Sequence, residues 1–426
     1  MDAITYLLSL EVLGMKFGLE NMHRLCARLG HPEDSFRSVI VAGTNGKGSV
    51  TAMVSAGLHA AGKRVGRYTS PHLLRLEERF SIDEAEVSTA DLEDVAGAVR
   101  SAVESLQQAG ELEAPATFFE CTTAAAFELF RRKRVEIAVL EVGLGGRLDA
   151  TNVVTPIAAA ITSIALDHQV QLGSTIASVA REKAGVIKEG IPVVCGRVAE
   201  EAARVIEEVC RERNARLIRV DDAVRMNASV DRSGTTVTLE TRRRRLEDVR
   251  LALAGRHQAQ NAAIALALLD ELDAAGFGVT DAAALAALTH VRWPARLERF
   301  RYRDCDVLLD AAHNPAGARV LTEYLRDIGW DRVTLIVGAM RDKDIAGMLR
   351  ELLPRCAKVI ATQPPSPRAA TADEIAILAR ELAPADLTVE TIADPALALD
   401  RACSGGTPVV AAGSIFLIGP LRGILR

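Results

Sequence analysis

Residues 38–49 read Ser38-Val39-Ile40-Val41-Ala42-Gly43-Thr44-Asn45-Gly46-Lys47-Gly48-Ser49, a β-branched run that breaks into a glycine-rich loop. The run through Ala42 predicts a buried strand, and Ser49 to Ala61 predicts a helix. Glycines in such a strand–loop–helix unit let successive backbone N–H groups turn toward phosphate oxygens, while Lys47 supplies a point charge. The loop departs from G-x-x-x-x-G-K-[ST]: position 41 is Val, and Gly48 separates Lys47 from Ser49, so a metal role for the Ser49 hydroxyl does not follow. A plain glycine turn is the competing reading; the strand before and the helix after favour a phosphate loop.

Outward from this unit, short apolar runs alternate with helical patterns, as in a parallel sheet flanked by helices. Strands are expected at Ile137 to Val142, Ile157 to Ile164 and Pro192 to Cys195, and helices at Thr89 to Gln108, Phe118 to Arg132, Ser174 to Lys188 and Glu200 to Arg213. Between Leu217 and Leu253 the pattern changes to alternation with Ser-Gly turns, which predicts antiparallel hairpins appended to the parallel sheet. The run Arg242-Arg243-Arg244-Arg245 reads as a solvated hairpin end. Helices at Gln258 to Ala275 and Asp281 to Leu288 follow. After Trp293-Pro294-Ala295-Arg296 a second strand–helix alternation begins, with strands at Val307 to Leu309, Val333 to Val337, Lys358 to Ile360, Leu387 to Val389 and Pro408 to Val410. The expected fold is α/β: an N-terminal P-loop-type parallel-sheet domain over 1–294, carrying the hairpins, and a smaller C-terminal Rossmann-like α/β domain over 295–426.

At 426 residues the chain exceeds what one hydrophobic core usually serves, in keeping with two domains. Its 49% hydrophobic and 25% charged residues are those of a globular enzyme rather than a disordered chain. A net charge of -5 argues against a nucleic-acid partner. Seven scattered cysteines without a C-x-x-C pair imply a reducing compartment with neither a disulfide frame nor a zinc site. Asp2 stands at the N-terminus and Glu11 within its apolar run, unlike a signal peptide, and the stretch Val153 to Leu166 is too short and too interrupted to span a bilayer. A cytoplasmic protein with no membrane partner is expected.

Several polar residues stand at the carboxyl ends of predicted strands, where α/β sheets bind ligands. Glu141 ends an apolar strand and precedes Gly143, Gly145 and Gly146; a carboxylate there suits Mg²⁺, with a strand-end salt bridge as the alternative. Asp167-His168 follows another strand, although His168 by residue type alone reads as structural. Lys183, on a charged helix, reads as solvated. Asp310 ends a third strand and His313-Asn314-Pro315 opens the next helix, so ribose or phosphate contacts and a capping turn are equally open there.

Taken together, these segments resemble the folylpolyglutamate synthase and dihydrofolate synthase family, within the superfamily of Mur-type peptide ligases. The resemblance runs through Phe17-Gly18-Leu19-Glu20, the loop Gly43 to Ser49, Tyr68-Thr69-Ser70-Pro71-His72, Thr117-Phe118-Phe119-Glu120, Glu141 to Asn152, Asp167-His168, Glu182-Lys183-Ala184-Gly185, Gly255-Arg256-His257-Gln258, Trp293 to Arg296, Asp310 to Pro315, Met340 to Asp344 and Gly413-Ser414. It implies that Asn45, Gly46, Lys47 and Gly48, with Ser49 in the same set, hold ATP phosphates. Ser70, Glu141 and His168 would ligate one or two Mg²⁺ ions, and Lys183 would be carbamylated, against its solvated reading. Asn261, Arg296 and Asp310 would contact the nucleotide, with His313 close by as a catalytic group beside Lys47 and Lys183, so that ATP lies between the domains. Phe17, Gly18, Leu19, Glu20, Thr117, Phe118, Phe119, Glu120, Leu148, Asp149 and Ala150 would face a pterin-bearing substrate. Ala295 and Ala311 depart from the family pattern, Ala295 replacing a frequent glycine.

The implied chemistry is ATP-dependent ligation of L-glutamate to dihydropteroate, to reduced folate, or to both, by a monomer. A free carboxylate lacks a viable leaving group, and phosphorylation supplies one. Two rivals are a cell-wall ligase acting on a UDP-muramyl substrate and a P-loop regulatory ATPase that makes no bond.

Overall fold

The computed structural model describes residues 1–13, 18–112 and 114–426. The chain divides into two compact units. One is Met1–Asn227 with Thr238–Val249 and Gln260–Val291; the other is Ala228–Val237 with Arg250–Ala259 and Arg292–Arg426.

The first unit is built on eight strands: β1 (Arg37–Ala42), β2 (Val65–Tyr68), β3 (Phe80–Ile82), β4 (Ala85–Glu86), β5 (Ile137–Glu141), β6 (Ala158–Ile161), β7 (Pro192–Cys195) and β8 (Arg216–Arg219), in spatial order β4-β3-β2-β5-β1-β6-β7-β8. From β2 through β8 all neighbours run parallel, and β3 and β4 add an antiparallel edge. β5 and β6 are buried throughout, as strands covered on both faces must be. The chain leaves β1 for β2 on one side, past β5, and later leaves β5 for β6 on the other side of β1. This reversal opens a crevice at the carboxyl ends of β1, β5 and β6, the position where open α/β sheets take ligands.

Four local expectations differ from the structure. The helix after the phosphate loop begins at Lys47, not Ser49, with Gly46 as its N-cap at φ 87°. β6 stops at Ile161 rather than Ile164, because Thr162 and Ser163 turn their hydroxyls onto the phosphate loop. The hairpin strands β9 (Arg225–Asp231), β10 (Gly234–Glu240) and β11 (Arg245–Arg250) form a separate three-stranded sheet, and it is the parallel β8 that extends the main one. Within the arginine run, Arg244 is buried rather than solvated. Its guanidinium pairs with Asp270 at 2.6 Å and donates to the Val279 carbonyl, tying the hairpin to the helix Arg256–Leu272.

The second unit holds β12 (Glu298–Tyr302), β13 (Cys305–Leu309), β14 (Val333–Val337), β15 (Cys356–Ala361), β16 (Thr388–Thr391) and β17 (Val409–Ala412), in order β12-β13-β17-β14-β15-β16. All pairs are parallel except the β12 edge. The last strand, β17, inserts between β13 and β14, so that Asp310 after β13 and Gly413-Ser414 after β17 leave the sheet side by side. Gly413 N–H donates to the Ala312 carbonyl at 2.8 Å. Among the described residues no helix is long and apolar enough to cross a membrane.

Candidate active site

The phosphate loop is held from β6. Thr44 N–H donates to the Ser163 carbonyl at 2.8 Å, and the Thr44 hydroxyl to the Ala165 carbonyl at 3.1 Å. The Asn45 N–H donates to Ser163 Oγ at 3.0 Å, while the Asn45 carbonyl accepts from Thr162 Oγ1 at 2.7 Å and Ser163 Oγ at 3.0 Å. Gly43, at φ 148°, is required here: a Cβ would overlap the Thr162 hydroxyl. Gly46 presses against Asn261, whose Oδ1 would be 2.5 Å from a Cβ at position 46. Thr162 and Ser163 were invisible as site residues in the sequence, where two hydroxyls at the end of an apolar run read as part of a strand.

Two amines converge on this loop. Lys47 Nζ donates to the carbonyls of Gly43 at 3.1 Å and Thr44 at 3.2 Å, and Lys183 Nζ donates to the same Gly43 carbonyl at 2.9 Å. Lys183 is buried at the last turn of the helix Ile176–Ala184. Burial pushes its ammonium down to about 7, with the neighbouring Lys47 charge adding to the effect and Asp167 and Asp149 opposing it.

Glu141 is buried at the end of β5, in register with Val41 of β1, and its Oε2 accepts from the Ser70 N–H at 3.2 Å. Ser70 precedes a cis proline, Pro71. His168, at φ 50°, caps the short helix Gln169–Leu172, and its own N–H donates to Asp167 Oδ1 at 2.9 Å. Ser70 and Glu141 thus meet at the carboxyl ends of β2 and β5, while His168 stands beyond the end of β6 beside Asp167.

On the expected pterin side, Phe17 lies outside the described residues, Gly18 and Leu19 lead into the helix Glu20–Arg28, and Glu20 opens it. Thr117 and Glu120 form a capping box: Glu120 N–H donates to Thr117 Oγ1 at 3.2 Å, and Thr117 N–H to Glu120 Oε2 at 2.8 Å. Glu120 Oε1 is buried with no hydrogen-bond partner among the described residues. Phe118 lies under the Arg79 guanidinium, 4.9 Å from ring centroid to Cζ, and the Phe119 ring is 6.1 Å from that of Tyr68. Leu148 precedes Asp149, which caps the turn Ala150–Val153. The Asp149 carboxylate accepts from the N–H groups of Leu144 at 2.9 Å and Thr151 at 3.1 Å, and from the Thr151 hydroxyl. Burial raises its pKa against those bonds.

In the second unit, Asp310 is buried. Its two oxygens accept from the N–H groups of Leu297 and Ala312, each at 2.9 Å, so it draws the Ala295–Leu297 turn onto the end of β13. Burial raises its pKa while the Arg296 charge opposes the rise. Ala295 sits at φ 60°, a left-handed position that explains why glycine is frequent there in the family pattern. His313 Nδ1 is 2.9 Å from the Ala311 carbonyl, and the cap of the following helix is Asn314, whose Oδ1 accepts from Gly317 N–H at 2.8 Å. His257 is half-buried, and desolvation first and the Arg296 charge second push it down to about 4.

A family model for the Mur ligase middle domain matches residues 41–269, and one for the Mur ligase glutamate ligase domain matches residues 295–415. Fold and loop thus define a Mur-type ligase. A Bacillus subtilis relative named dihydrofolate synthase/folylpolyglutamate synthase is 38% identical over 355 residues, covering 82% of each chain. The Mycobacterium tuberculosis folylpolyglutamate synthase solved with ADP has a TM-score of 0.91 at 33% identity, over 100% of this chain and 99% of that one. A bifunctional folylpolyglutamate synthase/dihydrofolate synthase solved with Mn, AMPPNP and L-glutamate has a TM-score of 0.85 at 33% identity, over 100% and 98%. The chain belongs to the folylpolyglutamate synthase/dihydrofolate synthase family.

Proposed function

We propose that this protein uses ATP to join L-glutamate to a pterin-bearing carboxylic acid, either dihydropteroate or the γ-carboxyl of a reduced folate polyglutamate, releasing ADP and phosphate. The observation that carries this reading is the pair of amines, Lys47 and Lys183, meeting at the Gly43 carbonyl next to the buried Glu141. The names and bound molecules of the relatives support it: ADP in one, and an ATP analogue with L-glutamate in another. They carry folate names, so neither a UDP-muramyl ligase nor a regulatory ATPase is favoured.

In this reading the carboxylate oxygen attacks the γ-phosphorus, the bond to the β-phosphate oxygen breaks, and ADP leaves. Lys47, with Asn45, Gly46, Gly48 and Ser49, cradles the phosphates, and its ammonium answers the charge on the transferring phosphoryl group. The neutral amine of glutamate then attacks the acyl carbon; the carbon–oxygen bond to phosphate breaks and the amine loses a proton. Ser70, Glu141 and His168 would hold magnesium, which when bound neutralises phosphoryl oxygens. Asn261, Arg296 and Asp310 are assigned to the nucleotide and His313 to catalysis. Glu20, Thr117 to Glu120 and Leu148 to Ala150 are assigned to the pterin side, where Glu120 Oε1, without a partner among the described residues, offers an acceptor to a ring N–H.

Lys183 is proposed to be carbamylated. Its lowered pKa keeps a share of the amine neutral near pH 7, as attack on CO2 requires; the nitrogen–carbon bond forms, a proton leaves, and the resulting anion suits the neighbouring Lys47. Residues 1–294 and 295–426 would act as the two domains of a cytoplasmic monomer, a location that fits seven free cysteines.

The test is to incubate the purified protein with ATP, L-glutamate and each pterin acid in turn, then weigh the products. One added glutamyl residue per ATP consumed is expected with at least one acid. ATP hydrolysis indifferent to glutamate would overturn the reading.

A further inference from the structure

Four arginines are buried among the described residues: Arg67, Arg79, Arg244 and Arg422. Three have a carboxylate in contact. Arg67 pairs with Glu84 at 2.6 Å, Arg244 with Asp270 at 2.6 Å, and Arg422 with Glu298 at 2.7 Å. Arg79, only 6% exposed, has none within ion-pair distance among the described residues. Its Nε donates to His72 Nδ1 at 2.9 Å, its guanidinium lies over the Phe118 ring, and it also reaches the Tyr68 phenol. Each of these partners is a neutral acceptor or a π face. The carboxylates of Glu11 and Glu141 act on Arg79 from beyond contact distance.

A guanidinium withdrawn from water with no carboxylate in contact is expensive, and neutral partners offset only part of that cost, so an anion arriving from outside the fold would be well received. The local frame suits that purpose. Arg79 closes the turn Leu76–Arg79 and leads directly into β3, which pairs with β2, so its backbone is fixed by the sheet. The Phe118 ring, 4.9 Å from the guanidinium carbon, and His72 at Nε hold the side chain from two sides. Ser70, two residues beyond β2, and Glu141, at the end of the adjacent β5, put the reacting edge of the sheet within electrostatic reach. A planar fork held in this way matches a carboxylate or phosphoryl group bidentately, which a lysine in its place would not.

We infer that Arg79 receives the carboxylate of the pterin-bearing acid and then the acyl phosphate made from it, as a substrate-binding residue. This rests on the ligase reading above. Other anions are less well placed: the ATP phosphates are served by the loop after β1, and the aromatic neighbours Phe118, Phe119 and Tyr68 line up with the expected pterin side.

The whole chain with Arg79→Met or Arg79→Lys tests it, with two readouts that a structural arginine would move the other way. Without ligands, Arg79→Met should melt no lower than the parent, because an uncompensated buried charge is gone. The KM for the pterin acid should rise about ten- to a hundredfold in both variants, as expected for losing a bidentate charged contact, while the KM for ATP stays within about twofold. Ethylguanidinium should restore part of the turnover of Arg79→Ala. A lower melting temperature in Arg79→Met with all KM values unchanged would overturn the inference, as would a rise in the KM for ATP alone. Parent enzyme that ligates while both variants match it removes Arg79 and leaves the ligase reading standing; parent enzyme that forms no glutamyl product removes both.

Discussion

At the carboxyl edge of the eight-stranded sheet, two ammonium groups share one carbonyl, and an acidic strand end lies in the neighbouring register. At the carboxyl edge of the six-stranded sheet, Asp310 gives both oxygens to backbone N–H groups of Leu297 and Ala312. The two edges carry similar residue types after similar strands. In the first, two amines are drawn onto a single backbone carbonyl, an arrangement that favours the arrival of phosphate. In the second, the charge is already answered and shapes the turn that carries Arg296. The hydrogen-bond partners of a polar residue at a strand's carboxyl end thus separate one held mainly for a ligand from one that also builds a loop, as Asp310 does beside its assigned nucleotide contact.

The largest effect should separate the edges outright. Lys47→Ala, and likewise Glu141→Ala, should lower kcat by about 10³-fold, on the order of 4 kcal/mol, with the melting temperature unchanged. Near-parental turnover would place the first edge in the loop-building class.

Lys183 gives the next test. Burial lowers its pKa to about 7 from 10.5, so between those values the unfolded chain binds a proton that the folded one has released. Stability should rise with pH across that window, by an amount on the order of a few kcal/mol, and level off above it. Thermal melts in CO2-free buffer should show this rise in the parent and a flat profile in Lys183→Met, which should also be the more stable of the two below pH 7. Equal profiles would mean that the amine is already paired. Lys183→Ala should be inactive with or without added carbonate.

Asp310→Ala should behave differently, losing about 2 kcal/mol of stability for two orphaned N–H groups, with the KM for ATP raised only severalfold because the Arg296 turn loosens. A loss of kcat as large as that of Lys47→Ala, without loss of stability, would erase the contrast between the edges. The smallest effect is expected at Ala295, where φ is 60°. Ala295→Gly should raise stability by up to about 1 kcal/mol, read as a small upward shift in Tm.

The strand–loop–helix at Gly43, the ends of the helices Thr89–Gln108 and Phe118–Arg132, and the strand Pro192–Cys195 were legible in the sequence, because apolar periodicity and capping residues act over a few neighbours. The environment of Lys183 was not. Its charged neighbours in sequence suggest a solvated helix, and only the close backbone approach around Gly146 and Gly185 buries it. Arg244 fails the same way: four arginines in a row read as a surface, yet one of them finds Asp270 26 residues later. Thr162 and Ser163 act on a loop more than a hundred residues earlier. In each case the deciding partner is distant in sequence, and periodicity carries no information about it.

Activation of the acid as an acyl phosphate moves one carboxylate oxygen to phosphate, and oxygen tracing reads that transfer. A pterin acid labelled with oxygen-18 in its reacting carboxylate is turned over with ATP and L-glutamate, and the released phosphate is weighed. One labelled oxygen should appear in each phosphate, carried there when the carbon–oxygen bond of the acyl phosphate breaks. Phosphate free of label alongside glutamyl product would rule out the acyl phosphate.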